Sequence, residues 1–276
     1  MTTLPGALTD SELHELIELV KEKHGFDFSN YSKASLRRRL SRITTLKRVG
    51  FTELKDSLAN NADFFRWFLN EVTVNVTEMF RDPSFFRTLN TFVVPHLSQF
   101  KAVRVWSAGC SSGEEVYSLS ILLNQSKLNS EPFIYGTDIN TAMIEEAQRG
   151  VYSMRKIKSY AENYKLCELP GSLTDYFNVM NDVASIKKEL KQNILFSSHN
   201  LVTNDVFNEF QIISCRNVFI YFDAALQEKI LGLFYKSLCP NGFLCLGSKE
   251  TIRFPEYKNK FKVVSQKENI YQKVGG

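Results

Sequence analysis

Apolar positions follow two regimes along this chain. Up to about residue 80 they recur at helical spacing, and beyond about 100 short apolar runs alternate with amphipathic stretches. Thr9 and Glu12 form a capping box ahead of Leu13, Leu16, Ile17 and Val20, and Gly25 supplies a stop. In the next helix Leu36, Leu40 and Ile43 fall on one stripe. Arg38 and Arg42, four apart, therefore share another face, and Gly50 reads as a second stop. Phe65, Phe68, Leu69 and Val72 continue the spacing, so residues 1–80 are expected to form a small all-helical domain. Asp82 and Pro83 place a cap before a first-turn proline, which predicts a helix reaching about Val94.

The second regime predicts strands at about 103–108, 132–138, 194–199, 210–215 and 242–247. They are separated mostly by amphipathic helices, as in a doubly wound parallel sheet covered on both faces. Leu226, Ile230, Leu233 and Phe234 mark the last long helix. The ending "FKVVSQKENIYQKV" reads instead as an antiparallel hairpin at the sheet edge. Residues 150–193 are too long for an ordinary connection and mix helix-like with strand-like pieces. They are expected to be an inserted subdomain within a domain spanning 81–276.

With 276 residues and 43% hydrophobic positions, the chain can bury a sizeable core. No segment has the ~18 apolar residues of a membrane span, and the N-terminus lacks the basic and apolar regions of a secretory signal. The five cysteines include no CxxC pair and the four histidines are scattered, so no metal site is expected and a reducing cytoplasm fits best. Net charge is +4, unevenly distributed. Residues 28–52 hold seven basic side chains (Lys33, Arg37, Arg38, Arg39, Arg42, Lys47, Arg48) and no acid, leaving a net −3 elsewhere. One segment therefore carries the positive field.

Ligands of doubly wound sheets bind beyond the carboxyl ends of the strands. The first strand runs into Gly109-Cys110-Ser111-Ser112-Gly113, a turn of the phosphate-binding kind, but the helix behind it opens with Glu114 and Glu115. Helix N-termini attract anions, and two carboxylates there oppose a phosphate. The turn also lacks a P-loop's Lys-Ser/Thr ending and the third glycine of the dinucleotide fingerprint. A ligand with ribose hydroxyls or positive charge and no phosphate is expected. Asp138 ends the second strand, where an acid pairs with ribose hydroxyls, and Asn200, Arg216 and Asn217 follow later strands. Taken singly, Asp138 reads equally well as a helix cap. Cys110 and Cys215, with His199 as the one nearby base, lack a third orienting group and read as packing residues; His96 reads as a helix-end residue.

The ordered set "NVTEMFRD", "SAGCSSGEEVYS", "GTDIN", "SHNL" and "SCRNVFIYFD" resembles the CheR family of chemotaxis receptor methyltransferases over nearly the whole chain. The departure is Met79, where the family commonly has Phe. The resemblance implies a seven-stranded methyltransferase sheet and S-adenosylmethionine as cofactor, a phosphate-free nucleoside bearing a sulfonium. It implies cofactor contacts from Asn75, Thr77, Arg81, Gly109, Glu114, Asp138, Asn200, Leu201, Arg216 and Asn217, with Glu114 facing the charged methionine portion and Asp138 the ribose. Arg81 and Tyr221 correspond to residues beside the transferable methyl. The implied reaction is methyl transfer to glutamate side chains of receptor helices, with Arg38 and Arg42 as the receptor-contacting face. Some family members dock a receptor C-terminal peptide on a glycine-containing β subdomain in this segment; this chain has only Gly171 between Gly150 and Asn193.

Two other functions compete. A nucleic-acid methyltransferase would track phosphates with the basic helix, but it predicts aromatic stacking residues among the arginines or an "NPPY"-type motif, and the chain has neither. A cofactor-bound signalling module without turnover is opposed by retention of Arg81 and Tyr221.

Overall fold

The structure, a computed structural model, describes residues 8–126 and 128–275. The chain divides into two compact units, Met1–Asn75 with Ile220–Lys229, and Val76–Phe219 with Ile230–Gly276. The first boundary thus falls at 75/76 rather than 80/81, and a segment from late in the chain joins the helical unit.

In the helical unit, Asp10–His24 starts at the Thr9/Glu12 capping box and stops at left-handed Gly25. Helix Lys33–Lys47 ends earlier than expected, at Arg48 with φ of 55°. Gly50 instead opens helix Phe51–Asn60, where its N–H donates to Glu53 at 3.0 Å. The Asn61 side chain caps Ala62–Val72 by accepting from the Phe64 N–H at 2.9 Å. The apolar stripes of these four helices form one core around Leu40, Ile43, Leu54 and Leu58, which burial holds together. The late segment pairs with the chain before the basic helix. Tyr31 bridges Phe222, and Ser32 N–H donates to the Tyr221 carbonyl at 2.8 Å.

The second unit contains the strands β1 (Arg104–Ala108), β2 (Phe133–Asp138), β3 (Val151–Ser153), β4 (Phe177–Met180), β5 (Val183–Ile186), β6 (Ile194–Ser198), β7 (Phe210–Cys215), β8 (Leu238–Leu246), β9 (Phe261–Ser265) and β10 (Ile270–Lys273). Seven of them form one sheet in the order β6-β2-β1-β7-β8-β10-β9. The pairs from β6 to β8 are parallel, and β10 runs antiparallel to both β8 and β9. This is the expected mostly parallel seven-stranded sheet with its C-terminal antiparallel hairpin. β7 is buried at every position, as a strand covered on both faces requires. Within 150–193, β3, β5 and β4 make a separate antiparallel sheet joined to helix Met154–Leu166.

Asp82 holds the expected N-cap position ahead of Pro83, but its side chain makes no capping bond. Its φ is 59°, outside the extended region of a cap, and its side chain bonds elsewhere. Helix Pro83–Thr88 runs through a π turn, Leu89–Val93, into Val94–Leu97. Pro95 has no N–H to donate, which fits a ladder that shifts just before it, with Val94 N–H bonding Leu89. Met79 is fully buried in the core, so the departure from the family pattern is a packing substitution.

Candidate active site

The turn after β1 is pinned to the end of β2. The N–H groups of Gly109 and Cys110 both donate to the Thr137 carbonyl, at 2.7 and 2.9 Å, and Ser111 N–H donates to Asp138 Oδ2 at 2.8 Å. Gly113 has φ of 89°, and a Cβ there would lie 2.9 Å from the Ala147 Cβ and 3.2 Å from its Cα. Only glycine lets helix Glu114–Asn124 start this close to helix Thr141–Arg149. Asp138 is partly exposed and also accepts the Asn140 N–H through Oδ1 at 2.9 Å. Burial pushes its carboxyl above the usual range, against the lowering effect of the Asn140, Ser111 and Ile139 N–H groups. It is both a ring of backbone bonds and the acid at the strand end.

Glu114 and Glu115 point in different directions, as successive helical residues must. Glu114 has no exposed surface; Oε2 accepts from Ser112 Oγ at 2.7 Å, and Oε1 from Tyr160 at 3.0 Å and Lys156 at 3.2 Å. Tyr152 on β3 donates its hydroxyl to the Ser112 carbonyl at 2.9 Å. Three side chains of the 150–193 segment therefore hold the turn. Glu115 faces the sheet, accepting from Ser214 at 2.8 Å and Ser107 at 3.1 Å, two residues paired across β7 and β1.

The side chain of Arg216, expected among the cofactor contacts, is engaged within the protein. Its guanidinium bonds Asp82 at 2.7 Å, Glu115 at 3.1 Å and the Arg81 carbonyl at 3.3 Å, and it lies over the Phe85 ring at 3.9 Å. The side chain is 2% exposed. Its neighbour Asn217 takes a left-handed φ of 62°. The buried Glu250 carboxylate receives the N–H groups of both Asn217 (2.9 Å) and Gly247 (2.6 Å), tying the ends of β7 and β8 together. Arg81 reaches the Val76 carbonyl at 3.2 Å, and Thr77 lies half-buried between them in sequence.

At the end of β6, His199 N–H donates to the Asp138 carbonyl at 3.0 Å, which sets Asn200 and buried Leu201 beside β2. Asn200 folds back to accept the Val202 N–H at 2.9 Å. The His199 ring lies against Trp106 and Phe207, and burial lowers its pKa. Burial pushes the Cys110 and Cys215 thiols well up, the opposite of an activated nucleophile. Among the described residues no group of acids, histidines or cysteines could hold a metal.

Asn75, Tyr221, Arg38 and Arg42 belong to the helical unit. Asn75 bonds Thr73 and the Asn70 carbonyl, and Tyr221 is half-buried. Arg38 is exposed, whereas Arg42 is within 3.7 Å of Glu71. Sequence reasoning missed Glu115, Lys156, Tyr160 and Glu250. The Glu114-Glu115 pair was visible, but which acid faces which neighbour depends on contacts up to 101 residues away.

Residues 75–270 match the CheR methyltransferase SAM binding domain, and residues 11–73 match the CheR methyltransferase all-alpha domain. The chain belongs to the CheR family. It is 40% identical over 96% of its length to Cher3 of Pseudomonas putida, covering 97% of that protein. It is 30% identical to a chemotaxis protein methyltransferase of Borreliella burgdorferi, covering 89% of this chain and 90% of that one. A Listeria innocua protein of the same name is 32% identical over 86% of this chain and 88% of its own. The cofactor of this CheR chain is S-adenosylmethionine, and the turn suits it. Two acids in the first turn of the helix disfavour phosphate, and the partly exposed strand-end carboxylate of Asp138 can accept from hydroxyl donors. The chain is thus an S-adenosylmethionine-dependent methyltransferase.

Proposed function

We propose that this chain methylates glutamate side-chain carboxylates of chemotaxis receptors. When bound, S-adenosylmethionine supplies an electrophilic methyl group. Asp138 holds its ribose, and by the family resemblance Asn75, Thr77, Arg81, Gly109, Asn200, Leu201, Arg216 and Asn217 complete the contact set; Glu114, closed off by Ser112, Tyr160 and Lys156, belongs to it on the resemblance alone. Arg81 carries the substrate reading. Its guanidinium spends one bond on the Val76 carbonyl and pairs with no carboxylate among the described residues. A cation beside a sulfonium is unfavourable alone, so its use is to orient an incoming carboxylate.

A glutamate of ordinary pKa near ~4.3 is ionised at neutral pH, so the chain needs no general base. This agrees with the raised thiols and the neutral, buried His199. Catalysis then rests on positioning: Arg81 orients the acceptor and Tyr221 donates a hydrogen bond to it. Relatives named chemotaxis protein methyltransferase support a receptor as acceptor. The test is incubation with labelled S-adenosylmethionine and membranes holding candidate receptors. Base-labile methyl esters on receptor glutamates are expected; label appearing solely in nucleic acid, or none at all, would overturn the reading.

A further inference from the structure

We propose that the side chain of Arg216 is a positioning group that fixes the backbone bearing Arg81, and that it acts through Asp82. The inference rests on the reading of Arg81 as the residue that orients the acceptor carboxylate.

The segment around Arg81 needs an external hold. Phe80 and Asp82, on either side of it, have φ of 53° and 59°. Left-handed backbone is unfavourable for residues with a Cβ, and more so for a bulky aromatic. Two such residues flanking one arginine persist only where neighbours over-determine them. On the Phe80 side, the N–H donates to buried Ser118 Oγ at 2.9 Å, and the ring packs against Phe86 and Tyr164 with centroids 5.0 and 4.9 Å away. On the Asp82 side the hold is Arg216. One nitrogen, Nη2, donates both to the Asp82 carboxylate and to the Arg81 carbonyl, so the guanidinium grips two consecutive residues.

The anchor is itself rigid. Nη1 is fixed by Glu115, whose other oxygen takes both Ser107 and Ser214 hydroxyls from adjacent central strands. The Phe85 ring covers one face of the guanidinium. Glu115 thereby transmits the position of the sheet to Arg216, and Arg216 transmits it to Arg81. Two carboxylates already balance this buried cation, and with 2% of its side chain exposed it has little surface to offer a ligand. Arg81 differs: its side chain has a single backbone partner and is partly exposed. The division of labour is therefore one arginine that holds and one that is held.

The test uses the full chain with Asp82→Asn, Arg216→Lys and Arg216→Met. Steady-state methylation of receptor membranes, S-adenosylhomocysteine affinity by calorimetry, and amide exchange at Phe80 and Arg81 are measured for each. Asp82→Asn is expected to lower kcat at least tenfold, to keep S-adenosylhomocysteine affinity within threefold, and to speed exchange at those two amides. Arg216→Lys, which keeps the charge but loses the planar fork, should fall between wild type and Arg216→Met. Unchanged kcat and exchange in Asp82→Asn would overturn the proposal. So would a tenfold loss of S-adenosylhomocysteine affinity in Arg216→Lys with Asp82→Asn behaving as wild type, which would make Arg216 a cofactor contact. Should Arg216→Met fail to fold, Asp82→Asn alone decides. A wild-type chain inactive on receptors would sink the substrate reading, while exchange and affinity would still judge the clamp.

Discussion

Tyr160 donates its hydroxyl to Glu114 across 3.0 Å, and Glu114 is closed to solvent. The contact joins helix Met154–Leu166, in the inserted segment, to the first residue of the helix behind the glycine turn. Lys156 reaches the same oxygen at 3.2 Å but is half exposed. The two partners therefore differ in worth: a hydrogen bond to a buried charge counts for more than an ion pair screened by water.

Tyr160→Phe is expected to destabilise the protein by about 1–3 kcal/mol, the cost of leaving a buried charged acceptor short of a donor. Lys156→Met is expected to cost less, about 0–1 kcal/mol, because solvent already screens that pair. Denaturant titration of both variants checks the ranking. A larger loss for Lys156→Met would show that the ammonium, and not the phenol, is the partner that matters to the buried Glu114 carboxylate.

Asp138→Ala is expected to weaken S-adenosylhomocysteine binding by about 1.5–3 kcal/mol, the range for hydrogen bonds to a charged group. The pH dependence follows from its raised pKa, caused first by burial. Ionising it in the folded protein costs free energy, so its contribution to folding is complete below ~3.9 and is lost as pH rises through the higher folded value. Ribose hydroxyls donate best to the ionised form, so affinity runs the other way and drops as pH falls through that same value. Calorimetry carried from neutral pH downward through the carboxylate range should show wild-type affinity declining while Asp138→Ala stays flat. Parallel curves would remove Asp138 from the ribose.

Local patterns in the sequence were read correctly where the structure is decided locally. The Thr9/Glu12 box and left-handed Gly25 bound the first helix because each bond closes within four residues. The strand ends are legible too, since β1 runs into a glycine turn, β2 stops at Asp138 and β7 stops before Arg216. Asp82 stands at the N-cap as its pairing with Pro83 indicates, but the diversion of its side chain is not legible, because the guanidinium that claims it lies 134 residues away. The roles of Glu115 and Glu250 were hidden for the same reason. A buried carboxylate is placed by partners that come together only when the sheet forms, and no spacing rule reports on them.

Tyr221→Phe is expected to reduce methyl transfer about 10- to 100-fold, the worth of one or two hydrogen bonds in the transition state, with little change in cofactor affinity. The substitution keeps the backbone bond by which the Tyr221 carbonyl receives the Ser32 N–H, and a denaturant titration run beside the assay separates any loss of folding from a loss of rate. Full turnover in a single-turnover assay would leave Tyr221 as a packing residue.

The basic helix calls for a test that separates steering from stability, because its arginines are not equivalent. Arg37 pairs with Asp10, and Arg39 bonds the Glu71 carbonyl at 3.4 Å, so both are engaged within the helical unit. Arg38 is exposed and has no ion-pair partner among the described residues. Arg42 is 63% exposed and 3.7 Å from Glu71. Reversing Arg42 would set two carboxylates against each other, whereas glutamine removes its charge without that repulsion. Arg38→Glu combined with Arg42→Gln is therefore the informative variant, and its unfolding free energy should stay within about 1 kcal/mol of wild type. Contacts of this kind act on encounter and are screened over ~8 Å at physiological ionic strength. The variant is expected to raise the apparent KM for receptor, to leave S-adenosylhomocysteine affinity intact, and to flatten the salt dependence of the rate. Identical receptor kinetics at low salt, where steering is strongest, would return this face to a solvated surface and leave Arg81 as the cation that meets the acceptor.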